Sequence, residues 1–132
     1  MASILVVDDE IDGSDAVVRY LARAGHMTRC VPNGREALSA LANRTPDVVI
    51  LDLRMPEMDG ITFLEVIRCY LRWSYLPVVL LTAHEADSTT ERAEQLGVRR
   101  IFHKSAYNLK DLLATVNELA AEGRGNSPAA AG

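Results

Sequence analysis

The chain predicts an α/β protein, a parallel sheet covered on both faces by helices, and three observations carry that expectation. Apolar runs at Ile4–Val7, Val48–Leu51, Val78–Leu81 and Ile101–Phe102 are rich in Val, Ile and Leu with no polar alternation. That is how strands buried on both faces read. The segments between them carry apolar residues at three- and four-residue steps, the period of a helix with one buried face. Each run also stops at or shortly before a residue able to handle a phosphate or a metal: Asp8-Asp9, Asp52, Thr82 and Lys104.

Taken in order, the pattern gives five βα units. Strands are expected at about Ser3–Val7, Met27–Val31, Asp47–Leu51, Pro77–Leu81 and Arg99–His103, and helices at about Ser14–Ala24, Gly34–Asn43, Gly60–Leu71, Ala86–Leu96 and Tyr107–Ala121. In the first helix Ala16, Val17, Tyr20, Leu21 and Ala24 fall on one face, and in the last Leu109, Leu112, Leu113, Val116, Leu119 and Ala120 do the same. Gly25 and Gly97 follow helices where the chain must turn back in a left-handed conformation. Residues 1–122 are read as one domain, and 123–132, rich in Gly, Ser, Pro and Ala, as a flexible tail.

Composition narrows the function classes. With 132 residues, 48% hydrophobic and 24% charged, the chain suits a single soluble domain. No apolar stretch approaches the roughly 20 residues needed to span a bilayer, and no leader pattern opens the chain, so a cytoplasmic protein without membrane insertion is expected. A net charge of −4 argues against direct nucleic-acid binding. Cys30 and Cys69 lack ligand spacing and read as buried or half-buried thiols. Tyr70, Trp73 and Tyr75 read as ordinary packing before a contact surface, and Arg99-Arg100 as a solvated strand end.

In an open parallel sheet the carboxyl ends of the strands lie along one edge, where ligands bind at the reversal of strand order. Asp8, Asp9, Asp52, Thr82 and Lys104 would then share one crevice. Crowded carboxylates repel unless a cation neutralises them, and Mg²⁺ favours oxygen donors. Asp52 has the chemistry of a carboxylate nucleophile, with Thr82 and Lys104 placed to stabilise phosphoryl oxygens.

With these residues in view, the sequence resembles the receiver domain of two-component response regulators. The resemblance runs through Val6-Val7-Asp8-Asp9-Glu10, Leu51-Asp52-Leu53-Arg54-Met55-Pro56-Glu57-Met58-Asp59-Gly60, Leu80-Leu81-Thr82-Ala83 and Lys104, and covers about Ser3–Ala121. It implies a flavodoxin-like, doubly wound sheet of strand order 2-1-3-4-5 with five helices. It also implies a phosphorelay switch in which Asp52 accepts phosphate from a histidine kinase or histidine phosphotransfer protein. Asp9 and Asp52 would bind Mg²⁺ directly, Asp8 through water, and the Arg54 carbonyl would complete the ligands. Thr82 and Lys104 would hold the phosphoryl oxygens. Such a domain catalyses its own aspartyl phosphorylation and dephosphorylation. It presents the changed face of the fourth helix, fifth strand and fifth helix to a downstream protein, to an output domain of a longer parent, or to a second copy in a homodimer.

Three departures from the family pattern bear on that expectation. Ser105 stands where receivers carry a proline after a cis bond, and a trans Lys104–Ser105 bond is predicted because a cis bond before a non-proline residue costs about 3 kcal/mol. Ile101 stands where many receivers have the aromatic switch residue, and Phe102 projects to the other face of its strand. Arg54 and His84 occupy positions that flank the route of water to the acyl phosphate, and Arg54 is expected to slow hydrolysis. The alternatives are a pseudo-receiver that signals without phosphate, and a small phosphatase, which would need a second acid and a cap that the chain does not offer.

Overall fold

A computed structural model describes residues 1–55, 58–83 and 88–125. The elements run β1 (Ser3–Val7), α1 (Ile11–Arg23), β2 (Met27–Val31), α2 (Gly34–Asn43), β3 (Val48–Leu51), α3 (Gly60–Arg68), a 3₁₀ turn (Leu71–Trp73), β4 (Val78–Thr82), α4 (Ser88–Gln95), β5 (Arg100–His103) and α5 (Leu109–Gly125). All strands are parallel, in the order β2-β1-β3-β4-β5. The flavodoxin-like, doubly wound architecture expected from the sequence is the one observed. Among the described residues no helix is long and apolar enough to cross a membrane.

The period-2 alternation of strand side chains divides the core into two layers. Leu5, Val7, Val49, Leu51, Val78 and Leu80 point to one face and pack with Ala37, Leu41, Phe63, Leu64, Ile67 and Ala93 from α2, α3 and α4. Ile4, Val6, Val48, Ile50, Val79 and Leu81 point to the other and meet Val17 and Leu21 of α1 and Leu112, Val116 and Leu119 of α5. β1, β3 and β4 are therefore buried on both sides, as their uninterrupted apolar sequences require. The sheet edges differ. β2 is largely exposed, and in β5 Phe102 is buried while Arg100 is exposed. The reading of Ile101–Phe102 as a strand buried on both faces is thus corrected, because an edge strand has a neighbour on one side only.

Cys30 and Cys69 are both exposed, against the expectation of buried or half-buried thiols. Cys30 lies on the outermost strand, and Cys69 follows the last residue of α3. Trp73 is buried, its Nε1 donating to Thr45 Oγ1 at 3.0 Å, whereas Tyr70 and Tyr75 face solvent. The Tyr70 ring still packs against Trp73, 5.1 Å between centroids. Arg99 and Arg100 are exposed yet tied to α5: Arg99 bonds to Glu122 at 3.0 Å, and Arg100 donates to Thr115 Oγ1 at 2.8 Å while lying over the Phe102 ring.

Helix ends shift for local reasons. α1 begins three residues before Ser14, because the Glu10 amide folds onto Asp8 Oδ1 (2.8 Å) and the Glu10 carbonyl already accepts from the Ser14 amide. α3 stops at Arg68 rather than Leu71, and the Arg68 guanidinium draws the following turn back by donating to the Trp73 and Leu76 carbonyls. Asn108 caps α5, accepting from the Asp111 amide at 2.8 Å, and the helix runs on to Gly125, into the segment expected as a tail. Residues 126–132 lie outside the described residues. Gly25 and Gly97 adopt φ of 95° and 83°, the left-handed turn expected after their helices.

Candidate functional site

Strand register brings the polar residues together. Val7 is opposite Leu51 across β1 and β3, so Asp8 and Asp52 leave adjacent strands at one level, and the Asp52 amide bonds to the Val7 carbonyl at 2.9 Å. Leu51 is opposite Leu80 across β3 and β4, and Thr82 opposite His103 across β4 and β5. The Lys104 amide then bonds to the Thr82 carbonyl at 2.8 Å. Asp8, Asp9, Asp52, Thr82 and Lys104 thereby gather at the carboxyl edge of the sheet, as predicted.

Asp8, Asp52 and Thr82 are buried and Asp9 is exposed. Each of the three aspartates offers a carboxylate oxygen, and these oxygens lie within 4.8 Å of one another. An all-oxygen set of this kind fits a hard divalent cation such as Mg²⁺. Lys104 Nζ reaches into the same acids, at 2.8 Å from Asp8 Oδ2, 3.2 Å from Glu10 Oε2 and 3.4 Å from Asp52 Oδ2. Burial holds the Asp8 carboxyl above its ordinary 3.8 in spite of the Lys104 bond, since one ammonium is shared among several acids. Burial also pulls the Lys104 ammonium down, but the Asp8 bond, the fields of Asp52 and Asp8 and the Glu10 bond more than reverse this and leave it above 10.5. Lys104 is therefore a fixed positive charge at any physiological pH.

The loop after β3 is held close to the nucleophile candidate. The Arg54 amide donates to Asp52 Oδ1 at 3.3 Å, and the Gly60 amide to the Leu53 carbonyl at 2.9 Å. A Cβ on residue 60 would lie 2.7 Å from the Asp52 carbonyl oxygen, so only glycine lets α3 start against this strand end. Asp59 caps α3 by accepting from the Thr62 amide at 2.9 Å. A cavity of about 580 Å³ opens beside this loop, lined by Asp9, Arg54, Met55, Asp59, Ile61 and Thr89.

The departures take definite form. The Lys104–Ser105 bond is trans, as predicted. Ile101 packs toward α2, α3 and α4, and Phe102 lies on the opposite face, edge-on to Tyr107 at 6.5 Å between ring centroids. His84, Pro56 and Glu57 lie outside the described residues. Sequence reasoning gave no role to Glu10. The signal available was an additional acid directly after Asp8-Asp9, in a site with one lysine to share.

Comparison with known proteins agrees with this fold. Residues 4–117 match the family described as response regulator receiver domain. The DNA-binding transcriptional regulator NtrC of Salmonella typhimurium is 42% identical over 94 residues, 71% of this chain and 20% of that protein. The chain thus spans about a fifth of the length of such relatives. Among solved structures, the signal receiver domain of a histidine kinase from Syntrophus aciditrophicus superposes with a TM-score of 0.84 at 28% identity, covering 97% of this chain and 94% of that one. The Mn(2+)-bound form of response regulator Rcp1 gives 0.75 at 26% identity, with 90% and 91% covered.

Proposed function

The chain belongs to the response regulator receiver domain family of two-component signalling, and on that premise we propose that Asp52 is its phosphoacceptor. A carboxylate oxygen of Asp52 attacks the phosphorus of a phosphohistidine on a kinase or phosphotransfer protein. The new P–O bond forms as the P–N bond breaks, and the departing imidazole takes a proton from solvent. Lys104 and the Thr82 hydroxyl hold the equatorial phosphoryl oxygens, where charge accumulates in the transition state. In hydrolysis a water attacks phosphorus, the P–O bond breaks, and the Asp52 carboxylate is restored as inorganic phosphate leaves.

Asp9 and Asp52 directly, Asp8 through water and the Arg54 carbonyl are the residues that would hold Mg²⁺, as the cluster of carboxylate oxygens supports. Bound there, the cation supplies charge neutralisation between the acids and the incoming phosphoryl group. The Mn(2+)-bound form of Rcp1, a protein of the same fold, supports a divalent cation in this setting. The observation that carries the whole reading is the meeting of Lys104 Nζ with Asp8 and Asp52 from strands distant in sequence. A scaffold that signals without phosphate has no use for that convergence.

Phosphorylation adds about two negative charges beside Lys104 and biases an existing equilibrium of the α4-β5-α5 face, which a partner, an output domain or a second copy then reads. The test is a titration with beryllofluoride and Mg²⁺ followed by amide chemical shifts. Shifts around Asp52, Thr82 and Lys104 that spread into α4 and β5 support the proposal. A spectrum unchanged at saturating reagent favours the pseudo-receiver.

A further inference from the structure

The Lys104 ammonium has three N–H bonds, and three carboxylates stand within 3.4 Å of it: Asp8, Glu10 and Asp52. Two of these acids are buried parts of the phosphoacceptor site. Glu10 is different, with a side chain 63% exposed. It occupies the N-cap position of α1, and its side chain makes no capping bond there, being longer than the Ser, Thr, Asp and Asn side chains that cap from this position. It reaches across to Lys104 instead, 94 residues away in sequence.

We infer that Glu10 parks Lys104 in the unmodified protein and competes with the phosphoryl group for its ammonium, so that residue 10 sets how readily the site is occupied. This rests on the phosphoacceptor reading and adds to it a positioning residue that acts through Lys104. With all three N–H bonds engaged, a phosphoryl oxygen gains the ammonium only where a carboxylate gives way. Asp8 holds its bond at 2.8 Å and its side chain is buried, only 5% exposed. Glu10 is the acid that returns to water at least cost, because it is already mostly hydrated.

The experiment is a double-mutant cycle on the half-saturating beryllofluoride concentration at saturating Mg²⁺. Glu10→Gln is expected to tighten binding by about three- to fivefold, the scale of a partly exposed ion pair. In a Lys104→Met background the same substitution should change nothing. Glu10→Asp keeps the charge but is one methylene too short to reach the ammonium, and should behave as Glu10→Gln. No change in Glu10→Gln, or an equal gain without Lys104, overturns the inference. Should Lys104→Met fail to bind at all, Glu10→Asp decides: agreement with Glu10→Gln supports the contact, and agreement with wild type overturns it. A wild-type protein that ignores beryllofluoride removes the phosphoacceptor reading itself, and this inference with it.

Discussion

Two half-buried cations sit at opposite ends of the sheet and are neutralised in opposite ways. Lys104, at the carboxyl edge, is surrounded by the carboxylates of Asp8, Glu10 and Asp52. Arg68, beyond the other end of α3, donates from Nε to the Leu96 carbonyl at 2.7 Å and from one terminal nitrogen to the Trp73 and Leu76 carbonyls at 2.9 and 2.8 Å. The carboxylates raise the lysine above its ordinary value, whereas burial lowers the arginine. Main-chain dipoles satisfy a cation without storing charge, so Arg68 joins the ends of α3 and α4 and has no chemistry to perform. At Lys104 the acids outnumber the base, an arrangement that costs stability and makes sense where a cation and a phosphoryl group are to be handled.

Substitutions at the two ends should therefore separate function from stability. Lys104→Met is expected to slow phosphorylation of Asp52 by about 10²-fold or more, the scale of removing one oxyanion donor, measured with acetyl phosphate. Arg68→Ala should leave three carbonyls without their donor and lower unfolding free energy by about 2–3 kcal/mol in urea, while the folded protein is phosphorylated at the wild-type rate. A protein in which both variants lost the same property would erase the distinction between the two ends.

A smaller effect sharpens the claim that the carboxyl edge is overcharged. Asp8 has a folded-state pKa above its unfolded 3.8, so it favours the native state below that value, and the advantage is lost as pH rises through the folded value. In chelator, Asp8→Asn should then be more stable than wild type near neutral pH, by on the order of 1 kcal/mol. The gain should vanish as pH falls below 3.8, read from melting temperatures across pH. Arg54→Ala should hydrolyse its acyl phosphate faster than wild type, since the Arg54 amide lies 3.3 Å from Asp52 Oδ1; an unchanged rate dismisses the screening role. Smallest of all, breaking the exposed Arg92–Glu65 pair between α4 and α3 should change stability by less than about 0.5 kcal/mol.

The sequence made the fold legible where burial is two-sided. β1, β3 and β4 are unbroken apolar runs because helices cover both of their faces, and each ends at a residue of the site. At the edges the same rule misled: the Ile101–Phe102 run was read as buried on both faces and Cys30 of β2 as a buried or half-buried thiol, since local sequence does not say which strand lacks a neighbour. That Asp8, Asp9, Asp52, Thr82 and Lys104 meet at one edge was legible because Thr82 ends its strand and each of the others follows its strand directly or by one residue. Glu10 was not, because its meaning lies in a contact across 94 residues that no local pattern encodes. Arg68 was hidden for the same reason, its partners being main-chain carbonyls that exist only once α3, α4 and the 3₁₀ turn have packed.

The central claim, that Asp52 takes the phosphoryl group, is tested most directly by incubating the protein with acetyl phosphate and Mg²⁺ and locating the added phosphate by peptide mass spectrometry. The account predicts one base- and hydroxylamine-labile phosphate on the peptide containing Asp52, dependent on the cation and absent from Asp52→Asn. A phosphate that persists in Asp52→Asn, or a wild-type protein that takes up none, contradicts it.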